Sequence, residues 1–152
     1  MYTLALLLHS WLRWAAIVSA LGALALTFGA KDTISAKKAD AWGLALMISL
    51  DLQLLLGLVL YLGLSPFTAE ALGDFGAAMS NSGLRFWAVE HPTMMVGAVV
   101  AAHIGRITGR KARTPEAKRG KLLLWFAVAL VLMLVSIPWP GMANGRALFR
   151  LG

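Results

Sequence analysis

The sequence has no cysteine and few charged residues. Of its 152 residues, 14% are Asp, Glu, Lys or Arg, whereas a water-soluble domain usually contains about 25%. Without cysteine, disulfides, thiolate metal sites and iron–sulfur clusters are excluded, so any metal site must use His, Met, Asp or Glu. The low charge and the 59% hydrophobic content together predict an integral membrane protein.

Long polar linkers are also absent, because four apolar runs account for most of the chain. They cover about residues 4–29, 41–64, 86–107 and 122–139, and each is long enough to cross a bilayer, which takes about 20 helical residues. The first run lacks a basic segment before it and contains Arg13, so we interpret it as a helix and not as a signal peptide. The sequence therefore predicts an all-α protein, an integral membrane four-helix bundle in which residues 1–152 form one domain.

The distribution of basic residues predicts the orientation in the membrane, since short cytoplasmic loops are enriched in Lys and Arg. Most of them lie between runs one and two or between runs three and four: Lys31, Lys37, Lys38, Arg106, Arg110, Lys111, Arg113, Lys118, Arg119 and Lys121. The other connections contain only Arg85, Arg146 and Arg150. We expect a multi-pass protein of the bacterial inner membrane with both termini on the periplasmic side, in contact with membrane lipid and not with nucleic acid.

Two of the three histidines are predicted to lie at the same depth. A helical rise of about 1.5 Å per residue places His9 about 8 Å and His91 about 9 Å below the outer edge, with His103 about 18 Å deeper than His91. Two imidazoles at one depth on neighbouring helices can ligate the two faces of a b-type haem iron. His9 and His91 are therefore candidate metal ligands, and Met95 continues the His91 face among small residues. In the alternative interpretation, the histidines only hydrogen-bond between helices.

Arg13 is predicted to lie about 14 Å below the outer surface, near the midplane of a core about 30 Å thick. An unpaired guanidinium there costs several kcal/mol, so Arg13 needs a partner. Asp51 is the only carboxylate at a comparable depth, with Gln53 one step further out. We predict a buried Arg13–Asp51 pair that either fixes helix packing or forms a polar relay beneath the histidines. Arg13 could alternatively contact a haem propionate.

The outer boundary carries further polar residues. Arg85 and Arg146 are better placed than Arg13 for propionates that point towards the nearer surface. Glu90 faces about 100° away from His91 around the helix and is expected to pair with Arg85 or Arg146. Pro92 leaves a helical carbonyl free, which neighbouring groups must satisfy.

Methionines suggest a competing metal. Met94 and Met95 follow His91, and a thioether with an imidazole suits Cu(I). However, the seven methionines form no MxM or MxxM cluster and are ordinary core residues in an apolar chain. Copper therefore stays the weaker alternative.

Four segments carry a resemblance to a known family. In their order and spacing, LHSWLRW, DLQLLLGLVLY, FWAVEHPTMM and SIPWP resemble small bacterial four-helix integral membrane proteins labelled cytochrome B-like, over essentially the whole chain. The resemblance implies a haem protein. The recurring polar positions of that family match His9, Arg13, Asp51, Gln53, Glu90 and His91.

These observations lead to two functional hypotheses. In the first, one haem b lies between His9 and His91, residues 65–85 cover its edge, and the protein passes electrons between quinone and an outer-side partner as a component of a quinone-linked oxidoreductase. In the second, the chain is a cofactor-free accessory or assembly subunit of a larger membrane complex. A homo-oligomer is compatible with either.

Overall fold

The computed structural model describes residues 1–30, 32–142 and 144–149. These residues form α-helices and two π-helical segments, and they include no strand, so the predicted all-α class is confirmed for them. The helices are α1 (Tyr2–Gly29), α2 (Thr33–Val59), α3 (Pro66–Gly73), α4 (Phe75–Ser80), α5 (Ser82–Arg85), α6 (His91–Arg110) and α7 (Pro115–Ser136). The π-helical segments are Leu60–Leu64, which continues α2, and Phe86–Glu90, which leads into α6.

The four long helices pack side by side. Helix α1 contacts α2 and α7, and α6 contacts the same two helices from the other side. Small residues line the contacts in α1 and α6, so the helix backbones approach closely. The buried ones are Ala16, Ala20, Ala23, Ala98, Ala101 and Ala102.

One large side chain fills the space where the inner halves of α2, α6 and α7 meet. Phe126 of α7 is 1% exposed and is the largest fully buried side chain of the described residues. Two glycines make room for its ring: a Cβ at Gly43 would lie 2.9 Å from the Phe126 Cζ, and a Cβ at Gly105 would lie 3.3 Å from its Cε1. The aromatic ring and the two glycines therefore form one interlocking contact.

Two helices begin earlier than the apolar runs predict, because side chains cap them. The Asp32 carboxylate accepts a hydrogen bond from the Ser35 amide, which lowers the pKa of Asp32 below its ordinary value, and α2 begins directly afterwards. Thr114 caps α7 in the same way, with Pro115 in its first turn. The polar connections predicted before residues 41 and 122 are thus largely helical.

Three helical stretches are long and apolar enough to cross a membrane: Tyr2–Gly29, Ile34–Leu64 and Pro115–Ser136. Only 28% to 33% of the residues in their most apolar windows are buried within the protein, so their outward faces are apolar too, as expected for a multi-pass membrane protein. The sequence predicted four such stretches. Helix α6 is long enough but too polar to qualify by the same measure, because it includes two histidines and two arginines.

The chain after α7 folds back over the half of the molecule in which α1 begins and α7 ends. The Arg146 amide donates to the Pro138 carbonyl, and the Leu148 carbonyl accepts hydrogen bonds from the side chains of Arg13 and Trp14. Phe149 stacks on the Trp14 ring with centroids 5.1 Å apart. Residues 138–142 and 144–149 therefore cover part of the space between α1 and the short helices α3 to α5. Lys31 and Arg150, which contributed to the predicted orientation, lie outside the described residues.

Candidate functional site

His9 and His91 lie close together in the half of the protein in which α1 begins. His9 lies in α1 and His91 is the first residue of α6, and their ring centroids are 6.3 Å apart with the ring planes inclined by 64°. Two metal–nitrogen bonds of about 2 Å each would span about 4 Å, and the distance from each nitrogen to its ring centre supplies the remainder. The separation of the two rings therefore fits one metal ion held between them.

The His91 ring is oriented by the backbone of α7. Its Nδ1 lies 2.8 Å from the Ser136 carbonyl oxygen, which can only accept, so Nδ1 carries the proton and Nε2 has a free lone pair. Histidines that bind metals usually donate their second ring nitrogen in this way. The Ser136 hydroxyl in turn donates to the Met133 carbonyl at 2.9 Å and lies 3.0 Å from the Met95 sulfur.

The His9 ring has one nitrogen in contact with Gln53 and one without a partner. The Gln53 amide nitrogen, which can only donate, lies 3.2 Å from His9 Nε2 and 3.0 Å from the His9 carbonyl oxygen, so in this arrangement Nε2 accepts and Nδ1 carries the ring proton. By contrast, His9 Nδ1 and Gln53 Oε1 are buried and have no hydrogen-bond partner among the described residues. Buried polar atoms without partners are rare in proteins, so their position beside a cavity indicates a site that is completed by a bound group.

Tyr61 satisfies the carbonyl that Pro92 leaves free. Proline cannot donate to the carbonyl of Ala88, four residues earlier, and the Tyr61 hydroxyl donates to that oxygen instead, at 2.9 Å. The backbone adapts through the π-helical segment Phe86–Glu90, in which the His91 amide donates to the Phe86 carbonyl. The sequence predicted that a neighbouring group was needed, and this expectation is confirmed.

Removing the Tyr61 hydroxyl is therefore expected to destabilise the protein. Tyr61→Phe removes the donor that Tyr61 supplies to the Ala88 carbonyl, and we expect a loss of about 1–3 kcal/mol in the free energy of unfolding, measured by thermal unfolding in detergent. Tyr2→Phe is the matched control, because Tyr2 lines the same cavity without a side-chain hydrogen bond to any described residue. An equal loss in both variants would contradict the assigned role of Tyr61.

A cavity of about 580 Å³ opens beside the two histidines, within the range of about 300–1,000 Å³ typical of small-molecule sites. Its wall is mainly apolar, with hydroxyls from Tyr61, Ser65 and Thr93. Gly57 lies against the His9 ring, since a Cβ there would be in ordinary van der Waals contact with His9 Cε1, at 3.4 Å. A smaller cavity of about 60 Å³ continues inward past the histidines as far as Arg13. The surroundings suit a largely apolar ligand with a few polar groups.

Arg146 brings a positive charge to the cavity wall. Its guanidinium carbon lies 4.6 Å from the Phe67 ring centre and 4.9 Å from the Trp87 ring centre, so two aromatic faces hold it. Within residues 1–30, 32–142 and 144–149, no carboxylate forms an ion pair with it. Arg146 can therefore meet a negatively charged group of a ligand.

The structure corrects the predicted role of Arg85. Its Nε donates to the Glu90 carboxylate at 2.7 Å and its Nη1 donates to the Met79 carbonyl, and it does not line the cavity beside the histidines. The expected Arg85–Glu90 pair is present, and it ties α5 to the π-helical segment before His91. Arg146 occupies the position at the cavity for which the sequence also proposed Arg85.

The predicted Arg13–Asp51 pair is wrong. Arg13 Nη2 donates to the Leu148 carbonyl at 2.7 Å, because the chain after α7 returns to this depth. Asp51 instead lies 3.6 Å from His103, measured between Asp51 Oδ1 and His103 Nε2. Gln53, which was expected near this pair, contacts His9.

Several contributors to the site have no local signal in the sequence. In the sequence alone these residues are indistinguishable from interfacial or packing residues, and only the contacts between helices place them near His91. They are Tyr61, Trp87 and Ser136. Pro92 is the exception, since it predicts that another residue must donate a hydrogen bond to the free carbonyl, although it does not identify Tyr61.

Among the described residues, no group of three or more His, Asp or Glu side chains could hold a metal ion, so a metal here would depend on the two histidines and on ligands from a cofactor. Comparison with known proteins finds no matching family model, no similar curated protein and no similar solved structure.

Proposed function

We propose that this chain is a b-type haem protein of the bacterial inner membrane that binds one haem between His9 and His91. The observation that carries the proposal is the opposed pair of imidazoles, one with its Nδ1 proton fixed by Ser136 and the other with a buried nitrogen that lacks a partner. The hydrogen bond from His91 to Ser136 is the support typical of a metal-bound histidine. His9 would ligate through Nδ1 in its other tautomer, with the Gln53 amide turned so that its oxygen accepts from Nε2. The resemblance to cytochrome B-like proteins agrees with it.

The proposed topology has four membrane crossings: the three apolar stretches described above and, in addition, α6. Arg106 of α6 turns towards a neighbouring helix: it is 8% exposed, and its Nη1 donates to the Asp40 carbonyl near the start of α2. Sheltered polar groups of this kind are tolerated within a membrane. The basic residues between α6 and α7, among them Lys111 and Arg113, would then face the cytoplasm, and both termini the periplasm.

The side chains around the histidines have distinct roles in this proposal. Ser136 and Gln53 hold the two imidazole rings in place, Met95 packs beside them, and Arg146 neutralises the carboxylates of the porphyrin. The apolar wall of the cavity excludes water. When bound, the haem iron supplies one-electron transfer, which the axial ligands and the surrounding hydrogen bonds tune.

Quinone is the proposed electron partner on the membrane side. The cavity wall includes Leu58 and Val96, whose side chains are also exposed on the outside of α2 and α6. A quinone in the lipid would therefore approach the edge of a haem that fills the cavity. Stopped-flow oxidation of the reduced protein by a quinone should be faster than oxidation of free haem, and an equal rate would remove quinone from the proposal.

The decisive experiment for haem binding is an absorption spectrum. The protein is expressed with haem supplementation and purified, and oxidised and dithionite-reduced spectra are recorded with the extracted haem counted per chain. We expect a b-type spectrum with about one haem per chain. A colourless protein would instead support the cofactor-free accessory or assembly subunit, and a bound metal without porphyrin would support the copper alternative.

Arg146 is expected to strengthen haem binding through the porphyrin carboxylates. A hydrogen bond to a charged group contributes about 1.5–3 kcal/mol, so Arg146→Gln should weaken haem affinity by about tenfold to a hundredfold. The affinity is measured by titrating the haem-free protein and following the Soret band. Arg85→Gln is the matched control, because Arg85 is held by Glu90 outside the cavity. Equal effects of the two substitutions would show that Arg146 has no specific role.

A further inference from the structure

Asp51 and His103 form an ionisable pair on the outward side of α2 and α6. Asp51 Oδ1 lies 3.6 Å from His103 Nε2, and the side chains are 42% and 38% exposed. His103 Nδ1 donates to the Val99 carbonyl at 3.0 Å, whereas the Asp51 carboxylate accepts no hydrogen bond from any described residue. The two side chains are therefore close without a short hydrogen bond between them, and the Asp51 carboxylate can still accept hydrogen bonds from other donors.

The depth of this pair makes its exposure costly. Asp51 lies near the middle of the apolar stretch Ile34–Leu64, about 20 Å along the helix from its nearer end. Ionisable side chains at such depth almost always face a protein interior or a water-filled cavity. A half-exposed carboxylate at this position indicates that another protein surface covers it.

Apolar residues continue the same outward face on both helices. We call this surface the α2/α6 face. Its exposed apolar members lie three, four or seven residues before or after Asp51 and His103. They are Leu44, Ile48, Leu55 and Leu58 in α2, and Val96, Val100 and Ile107 in α6. The outward positions of α1 and α7 differ, because they are apolar without an ionisable member at this depth, as at Val18, Leu21, Val131 and Val135.

We propose that the α2/α6 face is the interface of a homodimer in the membrane. The acid and the base lie at one level on neighbouring helices, so a two-fold rotation about the membrane normal places each Asp51 opposite His103 of the partner subunit. Such a patch is self-complementary in charge, which a two-fold interface requires. The second copy would shield both pairs from lipid and supply each carboxylate with a further donor. This inference does not depend on haem binding.

The cysteine-free chain allows a direct test by cross-linking in native membranes. Leu55 lies one helical turn after Asp51 in α2, and Val100 lies one turn before His103 in α6, so both are displaced towards the same end of the bundle. Leu55→Cys in one copy should therefore approach Val100→Cys in another. Two differently tagged copies carrying these single substitutions are co-expressed as full chains and treated with an oxidant or a short thiol cross-linker. Val18→Cys and Val131→Cys, on the outward sides of α1 and α7, are the matched controls.

We expect a cross-linked product with both tags for the Leu55→Cys and Val100→Cys pair, and little for the controls. In the same assay, Asp51→Asn should reduce the product several-fold, since it removes the charge and leaves the size of the side chain unchanged. Cross-linking that is equal on all faces, a product with a different protein, or no product in any combination would each overturn the homodimer. The positions of the cysteines leave Asp51, His103 and the histidine site intact, so the result is independent of the absorption spectrum.

Discussion

The His91→Ala variant is expected to lose the b-type spectrum. In the proposed site His9 and His91 would hold the haem together, and His9 alone would not give the spectrum of a bis-histidine haem. The ring makes a single hydrogen bond to a backbone carbonyl, so its removal should leave the helices assembled. Spectra of the reduced variant, with haem counted per chain, measure the effect.

Two further measurements separate ligand loss from a general loss of structure. His103→Gln is the matched control, because His103 is the remaining histidine and lies far from the cavity; it should retain the full spectrum. Imidazole added to His91→Ala should occupy the vacated space and restore part of the low-spin spectrum. An unchanged spectrum in His91→Ala would disprove ligation by His91, whatever the control shows.

The Phe126→Ala variant is expected to show the largest loss of stability. The ring is almost fully buried and occupies the space that Gly43 and Gly105 leave open, and neither glycine has a side chain with which to fill a void. Phe→Ala substitutions at such sites cost about 3–5 kcal/mol, from lost burial and from the cavity that remains. The free energy of unfolding in mixed micelles, followed by far-UV circular dichroism, measures the loss.

Leu124→Ala on the same helix is the control for this prediction. Leu124 is 59% exposed and would face lipid, so its truncation should change the free energy of unfolding by much less than that of Phe126. Similar losses for the two variants would mean that Phe126 does not hold α2, α6 and α7 together.

The sequence was sufficient to bring the two histidines together, because depth in a membrane follows from residue counting. Helical rise gave His9 and His91 the same level, and the structure places their rings within 6.3 Å. The direction in which each ring faces could not be obtained in this way. It depends on Ser136 and Gln53, which come from helices whose rotation about their own axes is set by packing.

The same counting failed for Arg13, for a physical reason. It assumed that only the apolar runs reach the depth of Arg13, so Asp51 was the first expected partner. The chain after α7 has no helical periodicity that would reveal its path, yet it returns to this depth and offers the Leu148 carbonyl. Tertiary contacts of irregular segments leave little trace in a single sequence.

The predicted starts of α2 and α7 are too late, because capping residues begin both helices before the apolar runs. Apolar periodicity marks the part of a helix that meets other helices or lipid, whereas Asp32 and Thr114 start α2 and α7 in polar sequence. Both caps have the residue types that sequence rules recognise. These two boundaries could therefore have been predicted by giving capping residues more weight than hydropathy.

The π-helical segment before His91 has a consequence for anyone who redesigns this chain. A π-helical turn accommodates one more residue than an α-helical turn, so it rotates everything that follows by about 100° relative to a regular helix. Making Phe86–Glu90 a regular α-helix of the same length would therefore rotate His91 relative to the residues before Phe86. In the proposed site the orientation of the His91 ring depends on this irregular turn, and a redesign towards ideal backbone geometry would lose that orientation.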